Sequence, residues 1–153
     1  MSTESLGSNV VCQVAVVVRD IEAAAKKYAE VFGLPVPEPR LTAPAEETHI
    51  KYRGETTAGR AKLAFFSMGA VSLELIEPVG GPSTWQEHLD THGEGVHHIA
   101  FRVQGMDRAL AFLDARGMSC VQRGDFKGGS YAYVDAAKDL KVVLELLEST
   151  PTK

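Results

Sequence analysis

Two separated stretches of the chain share one pattern of apolar and polar positions. "VVCQVAVVV" (residues 10–18) and "GVHHIAFRV" (residues 95–103) are short, β-branched and largely apolar, and both read as strands. A helix-spaced run follows each. After the first, Asp20 stands where a cap acceptor belongs, Ile21, Ala24, Tyr28 and Phe32 recur at helical spacing, and Gly33 stops the run. After the second, Met106, Leu110 and Leu113 recur and Gly117 stops the run. One constant offset aligns Gln13 with His98, Asp20 with Gly105 and Ala24 with Ala109.

Strand-like segments follow both helices. They are "ETHIKYR", "RAKLAFFSMG" and "VSLELIEP" in the first half, and "MSCVQRG", "SYAYVDA" and "KVVLELLE" in the second. Each half therefore reads β-α-β-β-β. The pattern predicts a disordered N-terminus over 1–9, a first βαβββ module over 10–79, a connector over 80–94, a second βαβββ module over 95–148 and a tail over 149–153. Gly80, Gly81 and Pro82 mark a turn in the connector, and a short helix is expected around Trp85–Leu89. Lone strand pairs are marginal in water, so the modules should pack together in an α+β fold.

Strand parity sorts the side chains. Gln13, Ala15 and Val17 share one face, and Cys12, Val14, Val16 and Val18 the other. In the repeat, His98, Ala100 and Arg102 share a face, opposite His97, Ile99, Phe101 and Val103. The wholly apolar faces should lie on helices, and the faces bearing polar residues and a small alanine should line a cavity. On that reading His98 faces the cavity, and His97 is structural and points toward the helices or the module junction. The last strand of each module places Glu74 or Glu145 in an apolar run, where a carboxylate is costly to bury without a partner. Gln13, Glu74, His98 and Glu145 thus form a candidate metal site, two residues per module. Carboxylate, imidazole and amide oxygen suit one divalent ion: Mn²⁺, Co²⁺, Ni²⁺, Zn²⁺ or Mg²⁺.

The composition adds exclusions. The 153 residues are 44% hydrophobic and 24% charged, with a net charge of −4. No basic run points to nucleic acid or an anionic membrane. No apolar run approaches the roughly 20 residues that span a bilayer. "MSTESLGSNV" lacks the apolar core of a secretory signal, so a cytoplasmic location is expected, with Cys12 and Cys120 as reduced thiols.

At "CQVAVVVRDIEAAAKKYAEVFG", "LELIEP", "GVHHIAFRV" and "VVLELLE" the chain resembles the vicinal oxygen chelate superfamily. That group includes glyoxalase I, methylmalonyl-CoA epimerase, extradiol dioxygenases and bleomycin resistance proteins. The resemblance implies paired βαβββ modules forming a cupped mixed sheet around a metal held by Gln13, Glu74, His98 and Glu145. The "GPSTW" connection and overall length are most similar to methylmalonyl-CoA epimerases. Those usually carry His at the Gln13 position and a second carboxylate near Lys62–Leu63, which this chain lacks; Gln-Glu-His-Glu is a set seen in glyoxalase I. The implied activity is proton abstraction α to the carbonyl of a small-molecule ketone or thioester, through a metal-stabilised enediolate, by a homodimer. Glu145 would be both ligand and base. Arg102 and Lys127 are candidate substrate contacts. A glyoxalase I-type lyase and a metal-free small-molecule binding or resistance protein are the alternatives.

Overall fold

A computed structural model describes residues 4–151; the outermost parts of the expected N-terminal segment and tail, 1–3 and 152–153, lie outside the described residues. Strand β1 (Gln13–Val17) buries alternate residues and leads into helix α1 (Ile21–Phe32). Asp20 Oδ1 accepts from Ala23 N at 3.1 Å, and Gly33, at φ 66°, ends the helix in the left-handed region. Ile21, Ala25 and Ala29 are buried against Ala64, Phe66 and Leu75. Ile21 is wholly buried, and truncating such a residue to alanine costs about 2–5 kcal/mol.

The chain continues through β2 (Arg40–Leu41), α2 (Ala45–Thr48), β3 (Lys51–Tyr52), β4 (Glu55–Thr56), β5 (Arg60–Met68) and β6 (Val71–Val79). Helix α3 (Thr84–His92) follows, then β7 (Gly95–Arg102), α4 (Met106–Asp114), β8 (Cys120–Phe126), β9 (Gly129–Asp135), α5 (Ala137–Leu140) and β10 (Val143–Ser149). The ten strands of the described residues form one sheet in the order β2-β5-β6-β1-β7-β10-β9-β8-β3-β4. β1 runs parallel to β6, β7 runs parallel to β10, and β1 and β7 meet antiparallel at the centre. The result is the α+β cupped mixed sheet that the repeat implies, with α1 and α4 each packed on its own apolar cluster.

Three particulars differ from the sequence reading. "ETHIKYR" is not one strand: its start falls in α2, and Lys51–Tyr52 pairs with β8 of the other module. The segment from β2 to β4 therefore bridges the two free ends of the sheet. Leu6, in the segment expected to be disordered, packs against the α4 cluster. The third concerns His97. The β1–β7 register runs Ala15↔His98 and then Val16↔Val96, so His97 is an extra residue in a β-bulge. Strict alternation fails there. His97 packs beneath α3, the helix of the connector between the modules, with its ring 5.3 Å from His88 and 5.2 Å from Tyr133.

Candidate metal centre

Strand register builds the site. Ala15 lies between Glu74 on β6 and His98 on β7, and Ala100 lies between Gln13 on β1 and Glu145 on β10. Both alanines are fully buried. Their small side chains leave room for the four longer ones to converge. His98 Nε2 lies 2.7 Å from Glu145 Oε2, 3.2 Å from Gln13 Oε1 and 3.8 Å from Glu74 Oε1. All four residues are buried. One donor atom each from Glu74, His98 and Glu145 lies within 4.8 Å of the others.

Glu145 Oε2 is buried and makes no hydrogen bond, although it sits 2.7 Å from His98 Nε2. That contact is short in distance but not aligned for a hydrogen bond. Burial pushes the Glu145 carboxyl up to about 8. Burial, and then the charge of Glu145, holds Glu74 well above the usual carboxylate range. Burial pushes His98 down to about 3, so its imidazole is neutral. Two desolvated carboxyls, a neutral imidazole and an amide oxygen whose donor atoms converge fit a divalent cation, which would draw both carboxyls back toward the ionised form.

His97 completes the surroundings. Its Nδ1 lies 2.7 Å from His98 Nδ1, so one of the two nitrogens donates and the other accepts. A cation on His98 Nε2 would leave the hydrogen on His98 Nδ1, which would then donate to His97 Nδ1. The backbone of Thr84 accepts a further hydrogen bond from the His97 ring. This arrangement would fix the tautomer and orientation of a ligating imidazole.

A cavity of about 100 Å³ opens beside the cluster. Glu145 is the one member of the four that lines it. Tyr133 and Tyr131, cross-strand neighbours of Glu145 and Leu147, form an aromatic wall with Trp85. Trp85 Nε1 donates to Tyr133 Oη at 3.0 Å, and Gln122 Nε2 donates to Tyr131 Oη at 3.1 Å. Gly124 seats Tyr131, because a Cβ there would lie 3.0 Å from the phenol. Thr42, Thr48 and Ile50, from the segment bridging the sheet ends, close the mouth. The aromatic wall was not singled out in the sequence. Its signal was the alternation in "SYAYVDA", which sets both tyrosines on the Glu145 face.

Arg102 and Lys127 do not line this cavity. Arg102 is exposed and lines a wider groove of about 950 Å³ with Leu6, Arg108 and Glu148; Leu147 borders both spaces. Lys127 is exposed at the β8–β9 turn. Glu77 and Glu148, at the strand ends, act on helices instead: Glu77 Oε1 accepts from Ile21 N at 3.1 Å, and Glu148 Oε2 accepts from Met106 N at 2.5 Å.

Residues 12–134 match the model of the Glyoxalase/Bleomycin resistance protein/Dioxygenase superfamily. The chain belongs to that superfamily. A relative, the uncharacterized protein YqjC of Bacillus subtilis (strain 168), is 32% identical over 92 residues, spanning 58% of this chain and 66% of its own length. The fold is similar to methylmalonyl-CoA epimerase from Mycobacterium tuberculosis, with a TM-score of 0.64 and 21% identity over 99% of this chain and 94% of that one. It is also similar to a Streptomyces coelicolor methylmalonyl-CoA epimerase in complex with 2-nitronate-propionyl-CoA, with a TM-score of 0.62 and 21% identity over 94% and 99%. Among the described residues of this superfamily member, no helix is long and apolar enough to cross a membrane.

Proposed function

We propose that the protein is a divalent-metal-dependent enzyme that abstracts a proton α to the carbonyl of a small-molecule ketone or thioester. The observation that carries this reading is the double position of Glu145, which belongs to the buried donor cluster and also lines the adjoining cavity. A divalent ion held by Gln13, Glu74, His98 and Glu145 would supply Lewis-acid polarisation of the carbonyl. The free oxygen of Glu145 takes the α-proton as the C–H electron pair moves toward the carbonyl carbon, and returns it afterwards. Tyr131 and Tyr133 stay protonated, since burial raises both, and offer their O–H groups to substrate oxygen. The buried aromatic wall keeps water from the carbanionic centre.

The epimerase reading is supported by fold similarity to solved epimerases. A glyoxalase I-type lyase is the second reading, favoured by Gln13 in the donor set and by Leu63, an apolar residue in the cavity wall where a second carboxylate would be needed. A homodimer would cover exposed apolar residues such as Val31, Phe32 and Val36.

The deciding experiment is metal analysis of the purified protein together with deuterium exchange at the α-carbon of candidate ketones and thioesters. A stoichiometric divalent metal and exchange that requires Glu145 support the proposal. Fully active protein stripped of metal would overturn it, and a folded protein that binds ligand without metal would place it with the binding members of the superfamily.

A further inference from the structure

The cavity beside Glu145 is lined by apolar, hydroxyl-bearing and acidic side chains. Among the described residues that line it there is no Lys and no Arg. Besides Glu145, its one charged side chain is Asp125 at the mouth, paired with His49 Nδ1 at 2.9 Å. Three basic groups of the flanking strands are held by other partners and do not line the cavity. Arg60 gives Nε and Nη2 to the carbonyl of Thr42 at 2.9 and 2.5 Å. Lys62 lies 3.5 Å from Glu77 and 3.6 Å from Glu22. Arg123 lies 3.6 Å from Asp107. The carboxylates of Glu74 and Glu145 would neutralise a divalent ion in the cluster, so the floor of the cavity would offer no surplus positive charge to a second anion. A buried carboxylate without a partner is strongly disfavoured.

What the walls do offer is apolar surface and neutral donors. Leu63, Ile50 and Leu147 supply hydrocarbon. Tyr133 Oη already accepts from Trp85, and Tyr131 Oη from Gln122, so each phenol keeps its own hydrogen to give. Resting on the proton-abstraction reading above, we infer that the part of the substrate entering this cavity is a small, uncharged carbonyl group carrying a second oxygen acceptor, and not a free carboxylate. The carboxylate of a methylmalonyl group is outside that class. The specificity resides in Leu63, Tyr131 and Tyr133 together with the absence of a cation.

Trp85 is the only tryptophan of the chain and it lines the cavity, so its fluorescence reports occupancy without any turnover. Methyl acetoacetate and acetoacetate make a matched pair, one a neutral ester and the other a carboxylate, both with exchangeable α-protons. The ester is expected to perturb Trp85 emission at a concentration at least tenfold lower than acetoacetate does. Phe126→Lys, at a half-exposed position of the wall, is expected to reverse that order, and Leu63→Lys to reverse it further if the variant folds. Equal or tighter binding of acetoacetate to the wild-type protein would overturn the inference. So would emission that neither compound changes, because the cavity would then take no carbonyl compound of this size. If the ester perturbs Trp85 but its α-protons do not exchange, the substrate class stands and the proton-abstraction reading falls.

Discussion

The two βαβββ modules share a topology and differ in what they give the site. Each lays its first strand beside its last in parallel and contributes one residue from each: Gln13 and Glu74 from the first module, His98 and Glu145 from the second. Each also ties its last strand to its own helix through a second glutamate, Glu77 to α1 and Glu148 to α4. The difference lies between helix and second long strand. In the second module, a short turn links α4 to β8; in the first, the chain from Leu34 to Gly59 includes β2, α2, β3 and β4 and crosses to pair with β8. That insertion closes the cavity on one side only. Glu145 lines the enclosed cavity and Glu74 does not. Duplication accounts for the donor cluster, and the asymmetric insertion accounts for where a substrate could enter.

The sharpest way to break this comparison is to exchange each central carboxyl for an amide. Glu145→Gln is expected to lower turnover at saturating metal by about 10²–10⁴-fold with little loss of melting temperature, because an amide keeps a ligand oxygen but takes no proton. Glu74→Gln is expected to weaken metal binding while sparing the rate of the loaded enzyme. If single-turnover rates fall equally in both variants, the two modules are chemically equivalent and the asymmetry carries no function.

The histidine pair sharpens it next. His98→Ala should abolish metal binding in a folded protein. His97→Ala should weaken metal affinity about 10–100-fold through loss of the Nδ1 contact, an effect measurable by competition with a chelator. Unchanged affinity in His97→Ala would reduce His97 to a packing residue. The first module has no counterpart, since Gln13 is preceded by Cys12, whose Sγ contacts the carbonyl of Ala100.

A smaller effect concerns pH in the metal-stripped protein. Glu145 and Glu74 are raised above the ordinary 4.5, Glu145 to about 8, so the folded state holds protons that the unfolded chain releases, and stability falls as pH rises through that window. His98, lowered from 6.5 to about 3, acts oppositely: its contribution is present above 6.5 and is lost as pH falls toward 3. The two oppose each other below 6.5, and only the carboxyls act above it. The melting temperature of stripped protein is therefore expected to fall between pH 6.5 and 8, and added metal to abolish the fall. A flat profile over that range would contradict the burial of the cluster.

The smallest expected effect tests the shared device. Glu77→Gln and Glu148→Gln each remove a charge from a helix N-terminus and should each cost about 0.5–2 kcal/mol in thermal unfolding, without changing metal content. A much larger loss from one of them would show that the modules are not held alike.

The local sequence determined the repeat, the helix boundaries at Asp20 and Gly33, and the identity of the four converging residues. These are matters of period and of polar groups interrupting apolar runs, and strand parity carries them without knowledge of the rest of the chain. Parity failed at His97, because a bulge is set by the neighbouring strand: Ala15 and Val16 are consecutive on β1 while their partners on β7 skip a residue. It could not place Tyr131 against Trp85, 46 positions apart in the chain's numbering, or commit Gly124 to seating a phenol, since these depend on which strands become neighbours. Nor could it show that Lys51–Tyr52 would leave its own module for β8. The tertiary structure alone decided which carboxyl meets the cavity and which described residues line it, because both follow from how the two ends of one curved sheet are closed.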